Sequence, residues 1–269
     1  PVRGKSCSQN AMPYLAQKFP TYDSFASATL TDIYTQSSLQ QAQAFQVNYL
    51  ESAILINDGE ARFKVNPLPE LSQISPGFGV VATEVNGDGN ADIYIVQNFY
   101  HPQRETGKMA GGLSVLLLGD GAGSFDQVWP NQSGLIVSED ARGLSSCDWN
   151  NDGWVDFVVS VNNGKMKLFE NNPDPSNQLN SLKVRLSYAQ GNPNGVGSKV
   201  SVIMEDGTVQ SDEVSAGGSY LSQSSPDLFF GVGLEKKIKS INVRWPDGKE
   251  TVNEYKKGEN IINISRNVN

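Results

Sequence analysis

Residues 148–156, Asp-Trp-Asn-Asn-Asp-Gly-Trp-Val-Asp, place oxygen-bearing side chains at alternate positions and then reverse on a glycine. Residues 84–92, Glu-Val-Asn-Gly-Asp-Gly-Asn-Ala-Asp, repeat that spacing. The candidates are Glu84, Asn86, Asp88 and Asp92 in the first loop, and Asp148, Asn150, Asp152 and Asp156 in the second. Oxygens so spaced in a tight loop can converge on one point. The backbone carbonyls of Asn90 and Trp154 can add a further donor each. Calcium takes about six to eight hard oxygens at ~2.3–2.6 Å and tolerates irregular geometry, whereas magnesium prefers fewer protein ligands. Two calcium ions in a structural role are therefore expected. The bare alternative is an Asx-rich turn whose side chains cap their own backbone. An EF-hand is excluded: it needs a bidentate Glu at its twelfth position and a helix beyond. Ile95 and Val159 stand there, both in β-patterned runs.

The elements that must position these loops are strands and turns. Asn86, Asp88 and Asp92 map onto Asn150, Asp152 and Asp156 with one constant shift, and each loop is followed by an apolar run, IYIVQNF or FVVSVNN. Two segments, 52–63 and 113–125, share a second plan: an apolar run, an Asp-Gly turn, and a returning strand that the pattern ends at Phe63 or Phe125. A unit of about 60 residues follows, pointing to a blade or solenoid repeat. The hairpin at Phe63 has no acidic loop before it, and MKLFENN (166–172) closes the last unit without its turn. Since a propeller needs about four or more blades to close, the chain is expected to be part of a larger protein or assembly.

Residues 1–46 are expected to be an irregular segment followed by one long helix. Tyr22, Phe25, Leu30, Ile33 and Tyr34 recur at helical steps, giving a helix from Thr21 to about residue 44 that packs on a sheet edge. Repeats occupy 47–172, a Pro- and Asn-rich linker 173–178, and a second β-domain 179–269. In that domain LKVRLSY, SKVSVIM, QSDEVSA, KSINVRW and NIINIS read as short alternating strands of a small sandwich or barrel. The fold class expected is all-β.

The repeat residues VNGDGNADIYIVQNF, VLLLGDGAGSF and DWNNDGWVDFVVSVNNG resemble the FG-GAP or VCBS-type repeats of integrin-like β-propellers. That resemblance implies four-stranded blades with calcium in the loop between strands; Glu84 departs from the usual first Asp. The segments NPNGVGSKV (192–200), GGSYLSQSSPDLFFGVG (217–233) and VRWPDGK (243–249) resemble the ASPIC/UnbV domain, with Phe229 where many members carry His. Read from the residues alone, Gly231 and Gly233 permit tight turns, and Trp245 to Gly248 end a strand in a turn.

A net charge of −8 over 269 residues argues against nucleic acid or anionic membranes as partners and suits cation binding. No apolar run is long enough to span a bilayer. Cys7 and Cys147 read as separate buried thiols, with one long-range bridge as the alternative. With one histidine, His101, and no Gly-x-Ser-x-Gly or P-loop motif, the chain is not expected to be an enzyme. His101, Arg104, Glu105 and Lys108 form a polar loop where binding residues could sit. The expected role is adhesion or recognition of a protein or glycan, at a cell surface or in the extracellular space. The alternatives are a polysaccharide hydrolase or its accessory lobe, using an aromatic platform of Tyr94, Phe99 and Tyr100 or the pair Asp88 and Asp92, and a purely structural segment.

Overall fold

The structure, a computed structural model, describes residues 3–103, 106–174, 180–189, 191–233 and 237–266. It divides into two compact units, one formed by residues up to 50 with the 101–108 segment, the other by residues 51–100 and 109 onward.

The first unit is helical: α1 (Lys5–Ala11), α2 (Leu15–Lys18), α3 (Tyr22–Ala26), α4 (Leu30–Ile33) and α5 (Gln36–Gln41). The one long helix expected over 21–44 is three short ones, and the segment expected to be irregular holds two more. Caps explain the first difference. The hydroxyls of Thr21, Thr29 and Thr35 accept from the amides of Ser24, Asp32 and Ser38. Each such cap starts a new helix and so ends the one before. Leu15, Phe19, Phe25 and Ile33 form this unit's core.

The second unit is all-β. A hairpin of β1 (Ala53–Asn57) and β2 (Phe63–Pro67) precedes an antiparallel sheet of β3 (Gly77–Thr83), β4 (Asp92–Gln97), β5 (Val115–Gly119) and β6 (Phe125–Val128). A three-stranded sheet of β7 (Ala141–Cys147), β8 (Asp156–Val161) and β9 (Lys167–Phe169) follows. Among the described residues none of the sheets closes on itself. Phe63 and Phe125 open their returning strands rather than end them, because the Asp58 and Asp120 carboxylates extend the turns by accepting amides two and four residues on.

The internal repeat reaches the backbone. The β3–β4 register slips between Gly77↔Gln97 and Val80↔Ile95, and β7–β8 slips at the corresponding Ala141↔Val161 and Leu144↔Val159. An irregularity copied at the same place in both sheets marks a repeated unit rather than a chance likeness. The sheets stack: Ile54 of the hairpin packs on Ile93, Ile95, Val115 and Leu117. The opposite face, with Val81, Tyr94 and Val96, packs on Leu144, Phe157 and Val159 of the next sheet.

The C-terminal strands make a sandwich. One sheet orders β13 (Leu228–Gly231), β10 (Ser181–Ser187) and β16 (Ile261–Ser265). The other orders β12 (Val209–Glu213), β11 (Lys199–Met204), β14 (Ile238–Arg244) and β15 (Glu250–Asn253). All five expected strands are present; β13 and β15 add to them. Leu182, Val184, Val202, Phe230, Ile241 and Trp245 fill the space between the sheets. The turn after Trp245 is as read, with Gly248 at φ +79°. Of the expected linker, residues 175–178 lie outside the described residues. Cys7 and Cys147 are free thiols in different units, the first buried and the second partly so.

Candidate metal centre

Each acidic loop joins the first two strands of its sheet, β3 to β4 and β7 to β8. The reversals fall on Gly89 at φ +94° and Gly153 at φ +90°, a region that L side chains avoid. Both loops then follow one hydrogen-bond plan. The first carboxylate turns back onto the loop: Glu84 accepts from Asn86, Gly87 and Gly89 at 2.6–3.0 Å, and Asp148 from Asp152 and Gly153 at 3.1 Å. Asn86 and Asn150 accept from the amides of Asp88 and Asp152 and donate to their carboxylates. Asp88 and Asp152 accept from the amides of Asn90 and Trp154. The last carboxylates tie the loops to more distant chain. Asp92 accepts from Val85 and Gly119, and Asp156 from Trp149 and Asn171, at 2.7–3.0 Å. Gly119 and Asn171 both lie at the far end of the third strand's course, so the ninth position bridges the same three strands twice.

This network is the self-capping arrangement of an Asx-rich turn. Among the described residues the acidic side chains do not gather into a group of three or more on one point. A carboxylate oxygen has two lone pairs, however, so accepting an amide leaves a site for a cation. The donor set fits one electrostatically in the first loop. Burial, opposed by the Gly87 and Gly89 amides and reinforced by Asp92 and Asp88, pushes Glu84 up to about 7. Burial likewise raises Asp92 to about 6 against the amides of Gly119 and Val85. Among the described residues no Lys or Arg nitrogen lies within 4.0 Å of Glu84, Asp88 or Asp92. In the second loop burial also raises Asp156, but there Asp148 is ion-paired with Lys183.

Lys183 belongs to the C-terminal sandwich, and the sandwich sits on both loops. The Gly233 amide donates to the Gly87 carbonyl at 3.0 Å. Ser181 Oγ donates to the Gly153 carbonyl and Asn260 Nδ2 to the Asp152 carbonyl, each at 2.8 Å. Gly231, expected in a tight turn, instead lies in β13 and is needed for close approach: a Cβ there would fall 2.0 Å from Glu84 Oε2 and 2.3 Å from the Gly89 nitrogen. Gly231→Ala is expected to cost about 1–3 kcal/mol, the usual penalty of overpacking. Urea unfolding checks this; unchanged stability would mean that the first loop yields to the methyl group.

Other candidates separate. Tyr94, expected to be exposed, is 1% exposed and packs on Phe157 at 4.8 Å. Phe99 is packed edge-on against Phe78, and the Tyr100 hydroxyl donates to the Ser138 carbonyl at 2.5 Å. These three make no common platform. His101 and Lys108 are exposed, and Arg104 and Glu105 lie outside the described residues. No helix among the described residues is long and apolar enough to cross a membrane.

Residues 188–268 match the family described as ASPIC and UnbV. Two curated relatives bear the name cartilage acidic protein 1. The mouse protein is 23% identical over 71% of this chain and 29% of its own length. The human protein is 22% identical over 75% of this chain and 30% of its own length. The chain thus spans under a third of the relatives it matches. A solved structure titled streptogramin B lyase is similar over 75% of this chain and 62% of that one, at 15% identity and a TM-score of 0.18, too low to bear on the fold. Residues 188–268 are therefore similar to the ASPIC and UnbV family, and they follow the two sheets that bear the acidic loops.

Proposed function

We propose that this chain is an extracellular, calcium-stabilised segment of β-propeller-like repeats, capped by its C-terminal domain, that serves adhesion or recognition of a protein or glycan. One observation carries the structural part: two copies of one acidic loop share a hydrogen-bond plan and are both wedged beneath the C-terminal sandwich. The four-stranded meander β3–β6 would be one FG-GAP or VCBS-like blade, and the β1–β2 hairpin the outer half of the blade before it. Glu84, Asn86, Asp88 and Asp92 would hold calcium with the Asn90 carbonyl; Asp148, Asn150, Asp152, Asp156 and the Trp154 carbonyl are the equivalent set in the second loop, where Lys183 already pairs with Asp148. The ion neutralises buried carboxylates and ties strand ends together. It performs no reaction, and the chain is proposed not to be an enzyme. The acidic net charge and the relatives' name support an extracellular setting. The second reading is that the loops cap themselves and hold no metal, favoured by the amides that already satisfy each carboxylate.

Thermal melts with chelator or calcium separate the two readings, and pH sharpens the test. A carboxylate whose folded pKa lies above its ordinary value binds its proton more tightly when folded. Its stability contribution is therefore full below the unfolded value and lost as pH rises through the folded one. For Glu84 that window runs from 4.5 to about 7. Chelated protein should therefore melt at a lower temperature at pH 8 than at pH 5. Calcium, which displaces those protons, should restore more stability at pH 8 than at pH 5. Melting indifferent to calcium at both pH values would leave the self-capped reading standing.

A further inference from the structure

We infer that the Lys183 ammonium is the resident cation of the second acidic loop, so that calcium, on the reading proposed above, is confined to the first. The phase of β10 makes the case. Leu182, Val184 and Leu186 point into the sandwich core, which turns Ser181, Lys183 and Arg185 to the other face. Ser181 bonds the second loop at the Gly153 carbonyl, and Arg185 pairs with Asp227. Between them Lys183 reaches Asp148. The Lys183 side chain is 4% exposed and that of Asp148 0%. Lysine is rarely buried this deeply unless paired, so the ammonium answers a specific negative charge.

The first loop is built differently at the matching place. There β13 presents Gly231, whose Cα lies directly against the Glu84 carboxylate and leaves no room for a side chain. One strand of the sandwich thus brings a fixed positive charge to its loop, and its neighbour brings none. Among the described residues no lysine or arginine nitrogen lies within 4.0 Å of the three carboxylates of the first loop, whereas in the second one of the three is already neutralised. A divalent ion entering the second loop would share Asp148 with a buried ammonium, and two cations at that separation in a poorly solvated site repel strongly. The consequence reaches beyond stoichiometry. The counter-ion of the second loop arrives with the C-terminal domain, so docking of that domain replaces metal binding there.

Calorimetric calcium titration of the chelator-treated chain tests this. The expected result is one ion per chain, abolished by Asp88→Ala and retained in Asp152→Ala. Lys183→Met, which keeps the apolar stem and removes the charge, is expected to raise the count to two, the new site being lost when Asp152→Ala is added. Two ions in the unaltered chain, one of them lost in Asp152→Ala, would overturn the inference while leaving the calcium reading intact. No binding in the unaltered chain would refute the calcium reading. Lys183→Met would then decide the lysine's role, since gain of a site at Asp152 supports it and continued absence overturns it. If Lys183→Met fails to fold, the comparison of Asp88→Ala with Asp152→Ala still decides.

Discussion

Asp148→Ala is expected to destabilise the chain by about 3–5 kcal/mol, the cost of breaking a buried ion pair by removing one partner. The asymmetry of that pair is what makes the result informative. Without Asp148 the Lys183 ammonium stays buried and uncompensated, and the Gly153 amide loses its acceptor, while that of Asp152 keeps only Asn150. Without Lys183, by contrast, Asp148 still accepts those two amides. Lys183→Met should therefore cost less than Asp148→Ala, and the double variant should recover part of the loss, because both charges leave together. Guanidinium unfolding of the three variants measures the cycle. Equal losses for the two single variants, with simple additivity in the double, would show that the two charges are not coupled.

The acidic loops were legible in the sequence because their signal is local: alternate oxygens, a glycine and an apolar run lie within a dozen residues. The constant shift between the loops likewise marked a repeated unit, but not the register slip that the two sheets carry at matching places. Helices α3 to α5 are short because their caps, not their apolar recurrence, set where each begins. The pairs Thr21 with Ser24, Thr29 with Asp32 and Thr35 with Ser38 were in the sequence, and each is a helix-start signal. What could not be read were contacts between distant segments. Lys183 stands in an alternating strand pattern, where a lysine between apolar residues ordinarily faces water. Its burial depends on a loop 35 residues away. Gly231 looked like a turn residue for the same reason: nothing nearby in sequence reveals that Glu84 presses against it.

Another long-range contact sets the second large prediction. Phe229 lies in β13 between Leu228 and Phe230, which point into the sandwich core. Strand alternation sends Phe229 the other way, into the core shared by the two repeat sheets with Val81, Tyr94, Leu144 and Phe157. It is 5% exposed, so its ring belongs to the repeats although its backbone belongs to the C-terminal domain. Phe229→Ala should cost about 3–5 kcal/mol, the range for truncating a buried aromatic in a close-packed core. Phe229→Leu, which keeps most of the apolar volume, should cost much less. A fold-wide loss alone would not establish coupling between the two regions. Loss of the anchor should also free the sandwich from the loops, so that calorimetry, expected to give one transition for this all-β unit, gives two in Phe229→Ala. A single transition shifted down intact would mean that the serine hydroxyls of residues 222 and 224, bonded to the edge of β7, and the Lys183 pair hold the regions together without it. The family resemblance adds a sharper variant, since many members carry His where this chain has Phe229. His at that position would bury two ring nitrogens among apolar side chains, a placement that is costly without partners. Phe229→His should therefore lose nearly as much stability as Phe229→Ala, and a tolerated histidine would show that polar groups at this seam find partners.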